Sequence, residues 1–98
     1  MTLLFDPNDR KDRINRKKHG LSFDEAKEIF SRPGEVLTIP DQRKDYGEDR
    51  FINIGPIGDD LLVVVVHTNR GGMIRIISAR KANGREARRY HDYFKTKA

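Results

Sequence analysis

Residues 61–66 read Leu-Leu-Val-Val-Val-Val, and this apolar run decides the fold. Consecutive β-branched side chains favour a strand over a helix, and a run without polar alternation predicts a strand that is covered on both faces. The turn residues Gly58-Asp59 precede the run, and the turn Asn69-Arg70-Gly71-Gly72 follows it. The run is therefore predicted to be the central strand of an antiparallel meander that also contains residues 50–57 and 73–79.

Capping and stop residues predict two helices ahead of this sheet. Asp6-Pro7 has the form of a helix start, because Asp caps free N–H groups and Pro fits the first turn. Gly20 suits the left-handed stop of a helix that ends at about Lys18. Ser22 and Glu25 form a capping box ahead of a second, amphipathic helix.

The remaining segments complete an α+β pattern. Residues 3–5 and 35–39 are expected to be short strands, and residues 40–47 a polar loop. Asn83 caps a last helix and has Glu86 three residues further on. Two N-terminal helices, an antiparallel sheet of about four strands and a C-terminal helix predict an α+β fold. We expect the helices on one face and the other face partly open for binding.

The composition predicts one small domain over residues 1–98. Leu, Ile, Val and Phe make up 25 of the 98 residues, which is enough for a core and above the level typical of disorder. No apolar run is long enough to span a bilayer, and the first residues do not form a signal peptide. The lack of cysteine excludes disulfides and Cys nucleophiles. We expect a cytoplasmic protein without membrane contacts.

The net charge of +5 is concentrated in two segments. Residues 10–18 hold six Lys and Arg against one acid, and residues 70–98 hold nine against two. The stretch between residues 24 and 60 is rich in acids. Two basic segments around an acidic middle indicate a polarised surface that attracts phosphates. The alternative interpretation is that the surface charge only keeps a small protein soluble.

Counting outward from a two-residue turn at Gly58-Asp59 predicts a cluster on one face of the sheet. Arg50 would lie opposite His67, and Glu48, two residues earlier, would share their face. The alternative is an ordinary cross-strand charge cluster at the rim of a sheet. Arg75 is expected on the opposite face and Arg80 at the far end of the hairpin, unless a bulge changes the alternation.

No metal site or cofactor is predicted. The three histidines lie far apart in the sequence and lack the spacing of metal ligands, and no phosphate-binding or dinucleotide-binding loop is present. His19 is expected to interact with the dipole at the end of the first helix. Lys17 and Lys18 are typical of a solvated helix face.

An ordered set of short motifs resembles the BrnT family. The motifs are Phe5-Asp6, residues 15–20 (Asn-Arg-Lys-Lys-His-Gly), residues 23–26 (Phe-Asp-Glu-Ala), Glu48-Asp49-Arg50, Ile54-Gly55, His67-Thr68, residues 75–82 (Arg-Ile-Ile-Ser-Ala-Arg-Lys-Ala), Glu86 and Tyr90. They occur in the family's order and cover residues 5–90. The chain departs from the family at Phe5, where Trp is common, and at residues 7–9, where a Lys is missing. Arg10 or Lys11 could substitute for that Lys.

The resemblance implies a toxin of a type II toxin–antitoxin system. It implies a RelE-like fold and a ribonuclease activity that stops translation. It also implies a BrnA-like antitoxin with a ribbon-helix-helix part, through which the complex would bind operator DNA.

The hypothesis for the chemistry is metal-independent RNA cleavage. Glu48 or His67 would serve as the base, and a cationic clamp would hold the phosphate. The candidate catalytic residues are Glu48, Arg50, His67, Arg75 and Arg80. The candidate RNA-binding residues are Lys17, Lys18, His19, Arg85, Arg88 and Arg89. The rival hypothesis is a basic module that binds nucleic acid or an antitoxin without any chemistry.

Overall fold

The valine run lies in an inner strand, as predicted. The protein is represented by a computed structural model that describes residues 3–97. All four valines of the run are buried, which confirms that the strand is covered on both faces. The sheet is antiparallel, and its strands lie side by side in chain order: β1 (Leu37–Pro40), β2 (Arg50–Ile57), β3 (Leu61–Arg70) and β4 (Met73–Lys81).

The helices lie before and after this sheet, which confirms the α+β class. They are α1 (Asp9–His19), α2 (Phe23–Ala26) and α3 (Gly84–Lys97), with 3-10 turns at Lys27–Ser31 and Pro33–Glu35. The predicted capping box is present at the start of α2, because Ser22 and Glu25 each accept a hydrogen bond from the other's backbone N–H at 3.0 Å. The second helix is shorter than expected, since it tightens into a 3-10 turn after Ala26.

The start of α1 was predicted wrongly. Asp6 does not cap the helix, which spans Asp9–His19. Gly20 follows as the left-handed C-cap, with a φ of 71°. Residues 4–6 pair with the outer edge of β4 instead: the N–H of Asp6 donates to the carbonyl of Ile74, and the N–H of Ile74 donates to that of Leu4. The expected strand at residues 3–5 is therefore a single bridge between Phe5 and Ile74.

A buried asparagine anchors α1 on β4. The Asn15 side chain donates to the carbonyl of Ala79 at 2.7 Å and accepts from the N–H of Ala79 at 3.0 Å. It also donates to the carbonyl of Leu21 at 2.9 Å. These bonds satisfy backbone groups at the sheet edge that would otherwise lack partners. The helix therefore docks through a polar group, while its apolar residue Ile14 is 56% exposed.

Helices cover both faces of the sheet, which corrects the expectation of one covered face. The larger core cluster lies beneath α2 and includes Phe23, Ala26, Ile29, Val63 and Val65. On the opposite face, the smaller cluster is covered by α3. It consists of Leu37, Ile54 and Val64, against which Tyr90, Tyr93 and Phe94 pack.

The turn between β2 and β3 sets the register of the sheet. Ile57 pairs with Leu61, so the turn contains three residues and not the two that were predicted. Two side chains from the region of the 3-10 turns hold its first residue: Glu28 accepts from the Gly58 N–H at 2.8 Å, and Arg32, which lies between the two turns, donates to the Gly58 carbonyl at 2.9 Å. The additional turn residue shifts the register of β2 against β3 by one position. The residue predicted to lie opposite a given β2 residue therefore has its side chain on the other face.

A β-bulge changes the alternation on β4. His67 pairs with Ile76 and Val66 pairs with Ser78, so Ile77 is the extra residue. Arg80 consequently pairs with Val64, and the two side chains share a face. No residue pattern in β4 marks the position of this bulge.

Candidate functional site

His67 and Arg50 lie on opposite faces of the sheet, so the predicted cluster of Glu48, Arg50 and His67 is wrong. Phe51 is the partner of His67, and Thr68 is the partner of Arg50. The three-residue turn causes this difference, because the prediction assumed a turn that was one residue shorter.

The His67 ring is part of a buried aromatic layer. It stacks on Phe51 with the ring centroids 5.3 Å apart, and it lies nearly perpendicular to the Phe30 ring with the centroids 5.1 Å apart. The side-chain amide of Asn53 binds the ring nitrogen Nδ1 at 2.8 Å and the carbonyl of Val65 at 2.9 Å.

This arrangement selects a neutral histidine. Asn53 Nδ2 donates to Val65, and Asn53 Oδ1 accepts from the hydroxyl of Thr38 at 2.8 Å. The second proton of the amide therefore points at His67 Nδ1, which acts as an acceptor and leaves the ring proton on Nε2. Burial lowers the pKa of His67 below its usual value, because desolvation penalises the charged ring. The environment is that of a structural histidine.

Glu48 and Arg50 are in contact, as predicted, although Glu48 lies in the loop just before β2. Arg50 Nε donates to Glu48 Oε2 at 3.0 Å, and Arg70 Nη2 lies 3.3 Å from Glu48 Oε1. The Arg50 guanidinium also lies over the Tyr46 ring, 4.1 Å from its centroid. The hydrogen bond from Arg50 lowers the pKa of Glu48, which is therefore a carboxylate at neutral pH.

Arg80 and Glu86 form a two-point ion pair between β4 and the start of α3. Arg80 Nη1 and Nη2 each donate to one Glu86 oxygen at 2.7 Å. Glu86 also accepts from the Asn83 N–H at 2.9 Å, and Asn83 accepts from the Glu86 N–H at 2.8 Å. The carboxylate predicted to cap α3 thus holds Arg80 as well. The hydrogen bond from Arg80 lowers the pKa of Glu86.

A second two-point pair comes from the loop between β1 and β2. Arg43 Nε and Nη2 each donate to one oxygen of the buried Asp41 at 2.8 Å. These bonds outweigh desolvation and lower the pKa of Asp41 to about 2. Arg43 is absent from the residues predicted from the sequence, because a single arginine in a polar loop has no spacing that marks it.

Arg43 and Arg80 line one small cleft on the face that α3 partly covers. The cleft has a volume of about 90 Å³, and Ser78 and Glu86 also line it. Its floor is the cross-strand row formed by Ile52, Val66 and Ser78. Arg50 is two residues from Ile52 along β2, so its side chain lies on the same face. We call Arg43, Arg50, Arg80 and Glu86 the arginine face.

Arg75 lies on the face opposite His67, as predicted, but it shares that face with Arg50, because both arginines pair with Thr68. Its guanidinium, however, is bound by the segment that precedes α1. Its guanidinium donates to Asp6 Oδ2 at 3.1 Å, to the Pro7 carbonyl at 2.8 Å and to Asn8 Oδ1 at 3.1 Å. It thus ties the segment before α1 to β4. These contacts give Arg75 a structural role.

The predicted RNA-binding residues form two separate groups. Lys17, Lys18 and His19 lie at the end of α1, whereas Arg85, Arg88 and Arg89 lie on the first turns of α3. The three α3 arginines are exposed and occupy the same part of that helix as Glu86. The α3 group lies within three residues of Glu86 but does not line the cleft, and Lys18 and His19 of the α1 group line a groove with Ile77 and Ser78 of β4.

The described part of the chain contains no group of three His, Asp or Glu side chains that could hold a metal ion. Within residues 3–97, no helix is both long and apolar enough to cross a membrane.

Comparisons with known proteins identify the family. A family model for the ribonuclease toxin BrnT of type II toxin–antitoxin systems matches residues 5–86. Among solved structures, the ribonuclease toxin BrnT of Brucella abortus has a similar fold, with a TM-score of 0.68 and 24% sequence identity. That similarity covers 84% of this chain and 99% of the Brucella chain. A search of curated proteins gives no match. Because the family model matches most of the sequence, the chain belongs to the BrnT family of ribonuclease toxins of type II toxin–antitoxin systems.

Proposed function

We propose that this chain is a metal-independent endoribonuclease that cleaves RNA on its arginine face and thereby inhibits translation. The observation that carries the proposal is the Arg80–Glu86 pair in a cleft that Arg43 also lines. The cleft places two guanidinium groups and one carboxylate around a single small space. These groups match the two needs of RNA cleavage, a cationic clamp for the phosphate and an acceptor for the 2′-hydroxyl proton.

The arginines would stabilise the charge that develops on the phosphate. In this reaction the 2′-oxygen attacks phosphorus, the bond to the 5′-oxygen breaks, and a cyclic phosphate and a 5′-hydroxyl are formed. Arg43 and Arg80 would bind the non-bridging oxygens, since a guanidinium fork matches phosphate geometry. Arg50, which Glu48 and Tyr46 hold in place, would bind the adjacent phosphate.

Glu86 is the base that this geometry favours over Glu48 and His67. It is ionised in the free protein because Arg80 lowers its pKa, and a carboxylate held in this way is a weak base. A phosphate bound to Arg80 would compete for the guanidinium. The pKa of Glu86 would then rise, and the carboxylate would accept the 2′-hydroxyl proton more readily. Solvent water would protonate the leaving 5′-oxygen.

Exposed arginines on α3 would bind the flanking RNA. Arg85, Arg88 and Arg89 lie next to Glu86 in the sequence and project into solvent. Contacts of this kind to phosphates add affinity without selecting a base sequence. RNA binding is therefore expected to weaken steeply with salt.

Family membership supports a partner as well as an activity. We propose that a BrnA-like antitoxin neutralises the chain in the cytoplasm. The ribbon-helix-helix part of that antitoxin would carry the complex to operator DNA.

The test is cleavage of an end-labelled RNA by purified protein in the presence of a metal chelator. Wild type is expected to cleave, and Arg80→Ala is expected to lose about 100-fold or more in rate, the scale of removing one charge-stabilising donor. Arg80→Lys keeps the charge without the fork and should recover only part of the rate. Arg13→Ala, the same change in charge on exposed α1, should retain full activity.

Two results would contradict the proposal. One is full activity in a folded Arg80→Ala variant, and the other is cleavage that stops when metal is chelated. Salt-dependent RNA binding without any cleavage would instead support the rival function, a non-catalytic basic binding module.

A further inference from the structure

A groove between α1 and the edge of β4 adjoins the arginine face at Ser78 but contains none of its four residues. Its volume is about 430 Å³. Arg10, Lys11 and Lys18 supply its cationic wall, and no carboxylate is among the described residues that line it. Arg10 and Lys18 lie one turn before and one turn after Ile14, so the three side chains form one stripe along the helix.

The centre of this groove is apolar. Ile14 lines it with 56% of its surface exposed. Ile77 lines it from the sheet, where the β-bulge inserts it as an extra residue. Ile14 and Ile77 thus form an apolar centre with cationic side chains around it. This arrangement is typical of a protein–protein interface, which has an apolar centre and a charged rim.

The edge of β4 is closed to strand addition at this point. Asn15 occupies both the N–H and the carbonyl of Ala79, and Asn8 donates to the carbonyl of Ile76 at 3.0 Å. An occupant of the groove would therefore be recognised through its side chains and not by extending the sheet.

The lining favours a protein over RNA. An unpaired base stacks on an aromatic or guanidinium group. Arg10 and His19 line the groove, but they lie four residues before and five residues after Ile14 on α1, and the two isoleucines at the centre offer no flat surface to a base. A carboxylate-rich segment with an aliphatic residue would satisfy both parts of the groove, because its anions face the cationic wall and its apolar side chain covers Ile14.

We propose that this groove is the docking site of an acidic, amphipathic segment of the antitoxin. The inference rests on the proposed antitoxin partnership but not on RNA cleavage. Lys18 and His19, which the sequence analysis assigned to RNA, would then serve the protein partner. Because Ser78 lines both this groove and the arginine cleft, a bound segment would reach the border of the proposed active site.

The test uses short fluorescein-labelled peptides followed by anisotropy. The probe has glutamates on both sides of one leucine, and the matched control has serine in place of the leucine. Wild type is expected to bind the leucine peptide at least about tenfold more tightly, which corresponds to about 1.4 kcal/mol. Ile14→Ser should abolish this preference, and Lys18→Ala should weaken binding of both peptides. Lys17→Ala removes a neighbouring exposed lysine that does not line the groove, and should leave binding unchanged.

Cleavage assays on the same variants separate this proposal from the proposed activity. Ile14→Ser is expected to cleave RNA at the wild-type rate and to unfold at nearly the wild-type temperature, because its side chain is exposed. Equal affinity for the two peptides, or no binding to wild type, would overturn the docking site. Ile14→Ser weakening the binding of a single-stranded RNA, with the peptides unaffected, would overturn it in favour of an RNA surface.

Discussion

Asn15 and Ala79 are joined by a reciprocal pair of hydrogen bonds across 64 positions of sequence. The side-chain amide of Asn15 bonds both the N–H and the carbonyl of Ala79, as the backbone of a neighbouring strand would do. This pair explains how a helix with a charged surface stays on the sheet, although Ile14 points into solvent.

Asn15→Ala is expected to destabilise the fold by about 2–4 kcal/mol, because it leaves buried backbone groups of Ala79 and Leu21 without partners. Chemical denaturation of the purified protein would measure the loss. Lys17→Ala, on the exposed side of the same helix, should change the free energy of unfolding by less than about 0.5 kcal/mol. Similar stability in both variants would show that α1 is held by other contacts.

Gly55→Ala is expected to destabilise the protein by about 1–3 kcal/mol through overpacking. A Cβ atom at Gly55 would lie 2.8 Å from Cγ2 of Val36, closer than such carbons approach one another. Adding Val36→Ala removes that methyl group and should recover part of the loss. Thermal unfolding of the single and double variants would test this coupling, and additive losses would contradict it.

The stability of the protein is expected to fall as the pH drops through about 6.5, the ordinary histidine value, and His67 is the cause. Its pKa is lowered in the folded state, so the unfolded chain binds a proton first and acidification favours unfolding. The contribution is fully present above the unfolded pKa and disappears as the pH falls towards the folded one. His67→Gln should flatten this dependence in urea unfolding between pH 5 and 7. An unchanged slope would assign the effect to other groups.

The same variant tests the role of His67 in the reaction. His67→Gln is expected to retain RNA cleavage, because the ring lies on the face opposite the arginine face and Asn53 occupies its Nδ1. The rate should be measured at a pH where the variant is fully folded. A large loss of rate with normal stability would return His67 to the mechanism.

Glu86→Gln is expected to slow RNA cleavage by about 10²-fold or more, the scale of a general base. In a pH–rate profile of the variant, the remaining rate should no longer change with the ionisation of the Glu86 carboxylate. Glu25→Gln is the matched control, because Glu25 is also the capping-box carboxylate of a helix but lies outside the cleft. If both variants slowed cleavage equally, the effect would belong to helix capping and not to chemistry.

Local features of the sequence predicted the order of the elements and the α+β class, but the start of α1 and the sheet register depended on contacts between distant residues. Residues 50–57 were placed as a strand with the observed bounds. Gly58 was recognised as a turn residue, yet its N–H and carbonyl are held by Glu28 and Arg32, which lie about 30 positions away. Turn length therefore could not be inferred from the turn residues alone. The third residue of this turn places His67 on the face opposite Arg50.

The proposed site depended on tertiary structure in the same way. The capping position of Glu86 was visible in the sequence, because a cap is a contact between residues three apart. Its pairing with Arg80 required the bulge at Ile77 and the docking of α3. Arg43 reaches the same cleft from a loop whose path no pattern predicts.

Periodicity, caps and ordered motifs are local properties of the chain, so the α+β class, the bounds of β2 and the membership of a toxin family followed from the amino-acid sequence alone. Which charged residues meet followed only from the packing of the strands and helices. That outcome depends on which face each side chain occupies, and one additional turn residue after Ile57 or one inserted residue, Ile77, changes the face.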